Sequence, residues 1–259
     1  MKDKILQKLK QIEQQKNVEI LFACESGSRA WGFASPDSDY DIRFIYKHDL
    51  EYYLSLWEQP DVIEFMTEDD LDGSGWDLRK TVRLLAKSNA PLLEWLFSPV
   101  VYFENEAFVT QMRSLAQDCF SPVACLHHYL GTTKNFMDAC QAEEVKLKNY
   151  FYALRTALAG KWIIEKNSFP PVAFVELLPI APLSVQEKVL ELMDIKAVQD
   201  EKYLHPKEFL ITEFLMETVK FNEENAGVLK GGKKMGEELD GVFINWVKLK
   251  KFKYLMYNV

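Results

Sequence analysis

The sequence predicts an α+β fold in two parts: a small mixed β-sheet module over residues 1–120, followed by an all-helical domain over residues 121–259. Three observations carry that expectation. Short apolar runs with β-branched and aromatic residues, bounded by turn formers, fall at residues 18–24, 40–46, 61–66 and 100–103, and runs this short suit strands better than helices. Beyond Ser121-Pro122 the apolar period becomes helical over long stretches, with no convincing strand. At 259 residues, 48% apolar and 27% charged, the chain has ordinary globular values and is long enough to bury a sizeable core.

Taken in order, residues 3–16 place Ile5, Leu9 and Ile12 at i, i+4 and i+7, the apolar stripe of a first helix. Residues 18–24 form the first strand, which stops at Glu25-Ser26-Gly27-Ser28. Small residues after a strand let the backbone turn tightly and leave N–H groups and a hydroxyl open to a ligand, most usefully a phosphate. A polar loop through Ser35-Pro36-Asp37-Ser38 leads to the second strand, residues 40–46. Asp39 and Asp41 stand at its entrance and point the same way, about 6.5 Å apart by the strand rise. Adjacent carboxylates repel unless neutralised, so this spacing reads either as a site for a hard cation such as Mg²⁺ or as an exposed strand end.

Residues 50–57 read as a short helix with Asp49 as N-cap, broken at Gln59-Pro60. A third strand, or two short ones, spans residues 61–75. Leu78, Val82 and Leu85 then set a helical period that ends at Asn89-Ala90-Pro91. A short helix at residues 92–97, an edge strand at 100–103 and a helix at 108–116 close the first part. Helices at 123–140 and 143–166, joined through Gln141-Ala142, are followed by helices at 184–193 and 206–222 and a final basic one after Gly236.

A Gly-Ser on a turn after a strand, then Asp-x-Asp flanked by apolar residues on the next strand, resembles the signature of the DNA polymerase β-type nucleotidyltransferase superfamily. Gly27-Ser28-Arg29-Ala30-Trp31-Gly32, Ser38-Asp39-Tyr40-Asp41-Ile42-Arg43 and Gly75-Trp76-Asp77-Leu78-Arg79-Lys80, in this order, resemble more closely the nucleotidyltransferases of the YcgL/RlaP type. The resemblance implies an enzyme that moves a nucleoside monophosphate from a nucleoside triphosphate to an acceptor hydroxyl and releases pyrophosphate. Ser28 and the Gly27 backbone would hold the triphosphate, and Asp39 and Asp41 would bind Mg²⁺, as one ion or two. The third carboxylate of such sites stands on a later strand; Glu64, Asp70, Asp72 and Asp61 are candidates, and Asp72 is preferred because it precedes the small residues and the Gly75–Lys80 block. Arg29 and Lys80 would neutralise charge developing in transfer. The site is expected to face a cleft between the two parts. The acceptor is not named by the sequence: an RNA end, a small molecule and a protein hydroxyl all fit. The alternative is a catalytically inactive nucleotide- or partner-binding protein on the same fold.

Lys148, Tyr152 and Arg155 share one face of the helix at 143–166, two cations around an aromatic ring, which suits a nucleotide as well as it suits a solvated face. The resemblance favours the nucleotide, since the family carries a similar Lys-x-x-x-Tyr-x-x-Arg block. On that reading Arg155→Ala weakens triphosphate binding more than nucleoside binding. Gly227 to Lys234 nearly fits a phosphate-binding P-loop but lacks the preceding strand and the hydroxyl after its Lys, so it is read as a connector.

A net charge of −8 argues against a surface built to grip long nucleic acid, although residues 230–253 carry seven Lys against three acids, net +4 against −12 for the rest. No apolar stretch approaches the roughly 20 residues needed to span a bilayer, and the N-terminus opens an amphipathic pattern, so a cytoplasmic protein without membrane contact is expected. Cys24, Cys119, Cys125 and Cys140 form no C-x-x-C pair and read as buried thiols; Cys125, His127 and His128 lack the further ligand pair that zinc requires.

Overall fold

The computed structural model describes residues 1–68 and 70–249. Helix α1 (Lys2–Lys16) buries Ile5, Leu9 and Ile12 and ends at Asn17, whose left-handed backbone turns its N–H onto the Glu13 carbonyl. There follow β1 (Glu19–Glu25), α2 (Gly27–Trp31), β2 (Tyr40–Lys47), α3 (Leu50–Tyr53), β3 (Val62–Met66), β4 (Leu71–Asp77), α4 (Leu78–Ala86), α5 (Ala90–Leu96), β5 (Val101–Glu104) and α6 (Glu106–Cys119). The strands form one mixed sheet in the order β3-β4-β2-β1-β5, in which β2 and β4 are parallel and the other neighbours antiparallel.

Strand alternation sends the two faces of β2 to different cores. Ile42, Phe44 and Tyr46 pack with Ile20 and Ala23 against the apolar stripe of α1. Ile45, with Phe22 and Cys24 of β1, joins a larger cluster that runs without a break through Leu93 and Leu96 of α5 to Tyr129 and Leu154 in the helices beyond residue 121. Each fully buried side chain of this kind contributes about 1.5–3 kcal/mol relative to exposure. Gly73 and Gly75 of β4 face the α1 side, where a Cβ would lie 2.0 Å from the Phe65 ring and 2.1 Å from the Phe44 ring. These small residues admit aromatic rings rather than a ligand.

The second half comprises α7 (Pro122–Met137), β6 (Glu144–Lys146), α8 (Leu147–Lys166), α9 (Phe174–Leu177), α10 (Leu183–Val198), β7 (Leu204–Pro206), α11 (Phe209–Asn225) and α12 (Gly236–Lys248). Among the described residues it is helical apart from the ribbon β6–β7, three residues a side, which the sequence period conceals because such a short run shows no alternation. Thr133 of α7 meets Thr156 of α8 through hydroxyls 2.8 Å apart, and Asn222 of α11 donates to the Ala157 carbonyl at 3.0 Å.

Several bounds differ from expectation. The helix expected at 50–57 stops at Tyr53, leaving Leu54, Leu56 and Trp57 exposed, and Asp49 makes no side-chain cap. The polar loop after Ser28 begins instead as the five-residue helix α2. Lys250, Lys251 and Lys253, which give the C-terminal stretch much of its expected positive charge, lie outside the described residues. No helix among the described residues is long and apolar enough to cross a membrane. All four cysteines are free and buried, and burial raises their thiol pKa values, Cys125 to about 11 and Cys140 to about 12.

Candidate active site

In the parallel pair, Asp41 of β2 stands beside Asp72 of β4, and Arg43 beside Ser74. Residues two apart share a face, so these four side chains project together, on the face turned away from α1. The Arg43 guanidinium lies between the carboxylates: Nη2 donates to Asp41 Oδ1 at 2.7 Å and to Asp72 Oδ2 at 2.9 Å, and Nη1 to the carbonyls of Asp72 and Ile42. Burial pushes the Asp41 carboxyl above its usual range. Arg43 pulls the other way, Asp72 and Asp39 add to the rise, and Lys148 opposes it. Asp39, just ahead of the strand, is exposed but close enough for its charge to be felt.

The turn after β1 closes over Asp41. Ser26 N–H donates to the Asp41 carbonyl at 2.8 Å, and Gly27 adopts φ +59°, where a Cβ would fall 2.1 Å from Asp41 Oδ2. Only a glycine lets the turn approach that carboxylate so closely. Ser28 is buried and its carbonyl accepts the N–H groups of Gly32 and Phe33, closing α2. The Asp41 backbone is held from behind by Glu25, whose Oε1 accepts the Asp41 N–H at 2.6 Å while Oε2 accepts the Tyr102 hydroxyl. Burial raises the Glu25 carboxyl, against those two hydrogen bonds.

Helix α8 supplies a wall. Lys148 is half-exposed, pairs with Glu201 Oε2 at 3.4 Å and lies 5.7 Å from the Tyr152 ring, which meets the Trp31 ring edge-on at 4.9 Å. Burial raises the Tyr152 hydroxyl, and the nearby Asp41 adds to the rise. The loop that delivers Asp39 is tied to the same half. Ser38 Oγ donates to Glu201 Oε1 at 2.7 Å, Glu201 N–H to Asp37 at 3.0 Å and Lys196 Nζ to Ser35 Oγ at 2.7 Å.

Beneath α2 sits a buried hub. Glu94 accepts from Arg155 Nη1 at 2.8 Å, the Tyr129 hydroxyl at 2.8 Å and Trp31 Nε1 at 3.2 Å, and the Arg155 guanidinium lies 4.3 Å over the Trp31 ring. The helix bearing Ser28 and Arg29 is thereby anchored to α5, α7 and α8 together.

The sequence matches the RlaP family, described as an RNA repair pathway DNA polymerase beta family, over residues 1–245. The chain belongs to that family. It is 43% identical over 252 residues to the uncharacterized protein YcgL of Bacillus subtilis (strain 168), covering 96% of this chain and 97% of that protein. Among solved structures, a nucleotidyltransferase-like protein from Exiguobacterium sibiricum 255-15 is distantly similar, over 85% of this chain and 73% of its own, at a TM-score of 0.30 and 13% identity.

Within this RlaP-family chain, Gly27, Ser28, Asp39, Asp41 and Asp72 come together, with Lys148 and Tyr152 alongside. Arg29 is adjacent but engaged: its guanidinium stacks 3.9 Å over the Tyr40 ring and donates to the carbonyls of Ser38 and Asp39, so it positions the loop bearing Asp39. Two expectations are corrected. Lys80 is in α4, beyond the far end of β4, whose last residue Asp77 is about 16 Å along the strand from Asp72 by the strand rise, and it pairs with Asp61 at 3.0 Å. Arg155 is 1% exposed and paired with Glu94, so it is inside the fold rather than on a cleft wall. Of the other third-carboxylate candidates, Glu64 is opposite Ser74 on the edge strand, Asp70 sits in the β3–β4 turn and Asp61 is with Lys80.

The donor set fits a hard divalent cation. Among the described residues no three His, Cys, Asp or Glu side chains are gathered closely enough to hold an ion alone. Mg²⁺ is ordinarily held by one or two carboxylates and completed by substrate phosphates, the arrangement that Asp41 and Asp72 offer with Asp39 at their margin. Arg43, Glu25, Glu94 and Glu201 are the site and support residues that motif reading passed over. A signal existed for two of them: Arg43 is two residues from Asp41 and so on its face, and Glu94 is a lone acid in the apolar run Leu92-Leu93-Glu94-Trp95-Leu96.

Proposed function

We propose that this chain transfers a nucleoside monophosphate from a nucleoside triphosphate to an acceptor hydroxyl. The observation that carries the reading is the carboxylate pair Asp41–Asp72, in register on parallel strands and covered by the Gly27-Ser28 turn, in a chain of a DNA polymerase beta family. The acceptor oxygen bonds to the α-phosphorus, the bond to the bridging oxygen of the β-phosphate breaks, and pyrophosphate leaves. The N–H groups and hydroxyl of the Gly27-Ser28 turn bind the phosphates. Asp72, with 35% of its side chain exposed against 26% for Asp41, is the more accessible to take the acceptor's proton. Asp41 and Asp72, with Asp39 at their margin, would hold Mg²⁺ together with the substrate phosphates, and the ion when bound supplies positive charge to the triphosphate and the leaving pyrophosphate. Lys148 and Tyr152 border the nucleotide. The family description makes RNA the first acceptor to try.

Incubation with each α-labelled nucleoside triphosphate and Mg²⁺, with and without total RNA, should place label on an acceptor with stoichiometric pyrophosphate. Asp41→Asn and Asp72→Asn should each abolish it, while Lys80→Ala leaves it unchanged. A binding-only protein is the second reading, favoured by the cation that Arg43 already places between the carboxylates. Tight nucleotide binding without pyrophosphate under every acceptor tried would decide for it.

A further inference from the structure

We propose that Arg43 is the resident counter-ion of the carboxylate pair and yields that place when a nucleoside triphosphate arrives, so that divalent cation and nucleotide bind as a coupled pair. The inference rests on the functional reading above. Asp41 and Asp72 are adjacent in register and half-buried, an arrangement that two like charges tolerate only when neutralised. Here the neutraliser is one nitrogen of one guanidinium, at 2.7 and 2.9 Å from the two carboxylates. Arg43 engages Asp41 Oδ1 and Asp72 Oδ2 and leaves each carboxylate its other oxygen, but a dication drawn to the same two negative charges is repelled by the guanidinium between them, so the two cations compete for one pair of anions.

Once displaced, Arg43 is a half-buried cation without its anions, a state the site cannot hold cheaply. Lys148 does not take its place, being paired with Glu201, and Arg29 is committed to the Ser38 and Asp39 carbonyls. A triphosphate on the Gly27-Ser28 turn brings new oxygens next to Asp41, and a guanidinium fork matches phosphate geometry. Nucleotide therefore compensates the displaced arginine, and by linkage the divalent ion and the nucleotide each tighten the binding of the other.

The test measures Mn²⁺ binding to the full chain by electron paramagnetic resonance, alone and with each α,β-methylene nucleoside triphosphate. Wild type should bind Mn²⁺ weakly alone and about tenfold or more tightly with the matching nucleotide, within the usual range of coupling between sites. Arg43→Met should bind Mn²⁺ about tenfold more tightly than wild type without nucleotide and lose most of the coupling. Arg43→Lys, which keeps the charge without the fork, should fall between the two. Thermal melts supply a second reading: Mn²⁺ should raise the melting temperature of Arg43→Met more than that of wild type. Mn²⁺ affinity unchanged or weakened in Arg43→Met, or undiminished coupling, overturns the proposal. Asp41→Asn separates the failures: if it abolishes Mn²⁺ binding while Arg43→Met changes nothing, only this inference falls, and if it changes nothing either, the carboxylate reading falls too.

Discussion

Glu94→Ala will destabilise the protein by about 3–5 kcal/mol, because it removes the anion from a buried pair and leaves the Arg155 charge uncompensated. Arg155 is 1% exposed with Nη1 on Glu94, and its Nη2 already lacks a partner among the described residues, so no other group stands ready to replace the carboxylate. Tyr129 and Trp31 lose their acceptor in the same step. For a chain of this size the loss corresponds to a fall of roughly 10 °C in melting temperature. Glu94→Gln, which keeps an acceptor but not the charge, should lie between alanine and wild type. Urea unfolding checks this, and a loss under about 1 kcal/mol for Glu94→Ala would show that the hub does not hold α2 in place. Arg155→Ala should act the same way, lowering stability rather than discriminating triphosphate from nucleoside.

Gly27→Ala should reduce transfer at least about a hundredfold, the scale on which an ångström-level misplacement near the reacting groups is felt. The added methyl would lie 2.1 Å from Asp41 Oδ2 and 3.0 Å from its Cγ, so the carboxylate must move or the turn must lift. Gly32→Ala is the internal control. Gly32 also has positive φ, +90°, but nothing lies within 4 Å of its would-be Cβ. Both variants incur backbone strain of order 1 kcal/mol, and only the first touches the carboxylate. Equal activities for the two would mean that the contact between the turn and Asp41 is dispensable.

What the sequence disclosed follows from the range of each signal. Gly27, Ser28, Asp39 and Asp41 were legible because strand, turn and strand are contiguous, and alternation fixes which side chains share a face. Adjacency to a motif favours Asp72 in the sequence, and the parallel register puts it beside Asp41. The Gly75–Lys80 block is contiguous in sequence with Asp72, but the strand between them carries Lys80 to the opposite end of the sheet, which residue spacing alone does not show. For Arg155 the helical period identifies a shared face but not what that face meets, and its neighbour, Glu94, is 61 residues away. The space that Gly73 and Gly75 leave is taken by the rings of Phe65 and Phe44 on adjacent strands, a long-range fit that residue type alone does not reveal. The ties from Ser35, Asp37 and Ser38 to Lys196 and Glu201 span more than 160 residues, beyond any local pattern.

The burial of every cysteine makes the chain chemically quiet toward thiol reagents. Maleimides attack the thiolate, and in Cys24, Cys119, Cys125 and Cys140 that form is both inaccessible and suppressed by desolvation. A single cysteine introduced for Trp57, which is 76% exposed in the loop after α3, is therefore a selective attachment point for a fluorophore without removal of the native four. The loop leads to Asp61 and Lys80, at the opposite end of β4 from Asp72. Mass spectrometry of the Trp57→Cys protein should find one adduct under native conditions and five in denaturant, and a dye placed there would report on partners approaching the far end of the sheet while the carboxylates stay unencumbered.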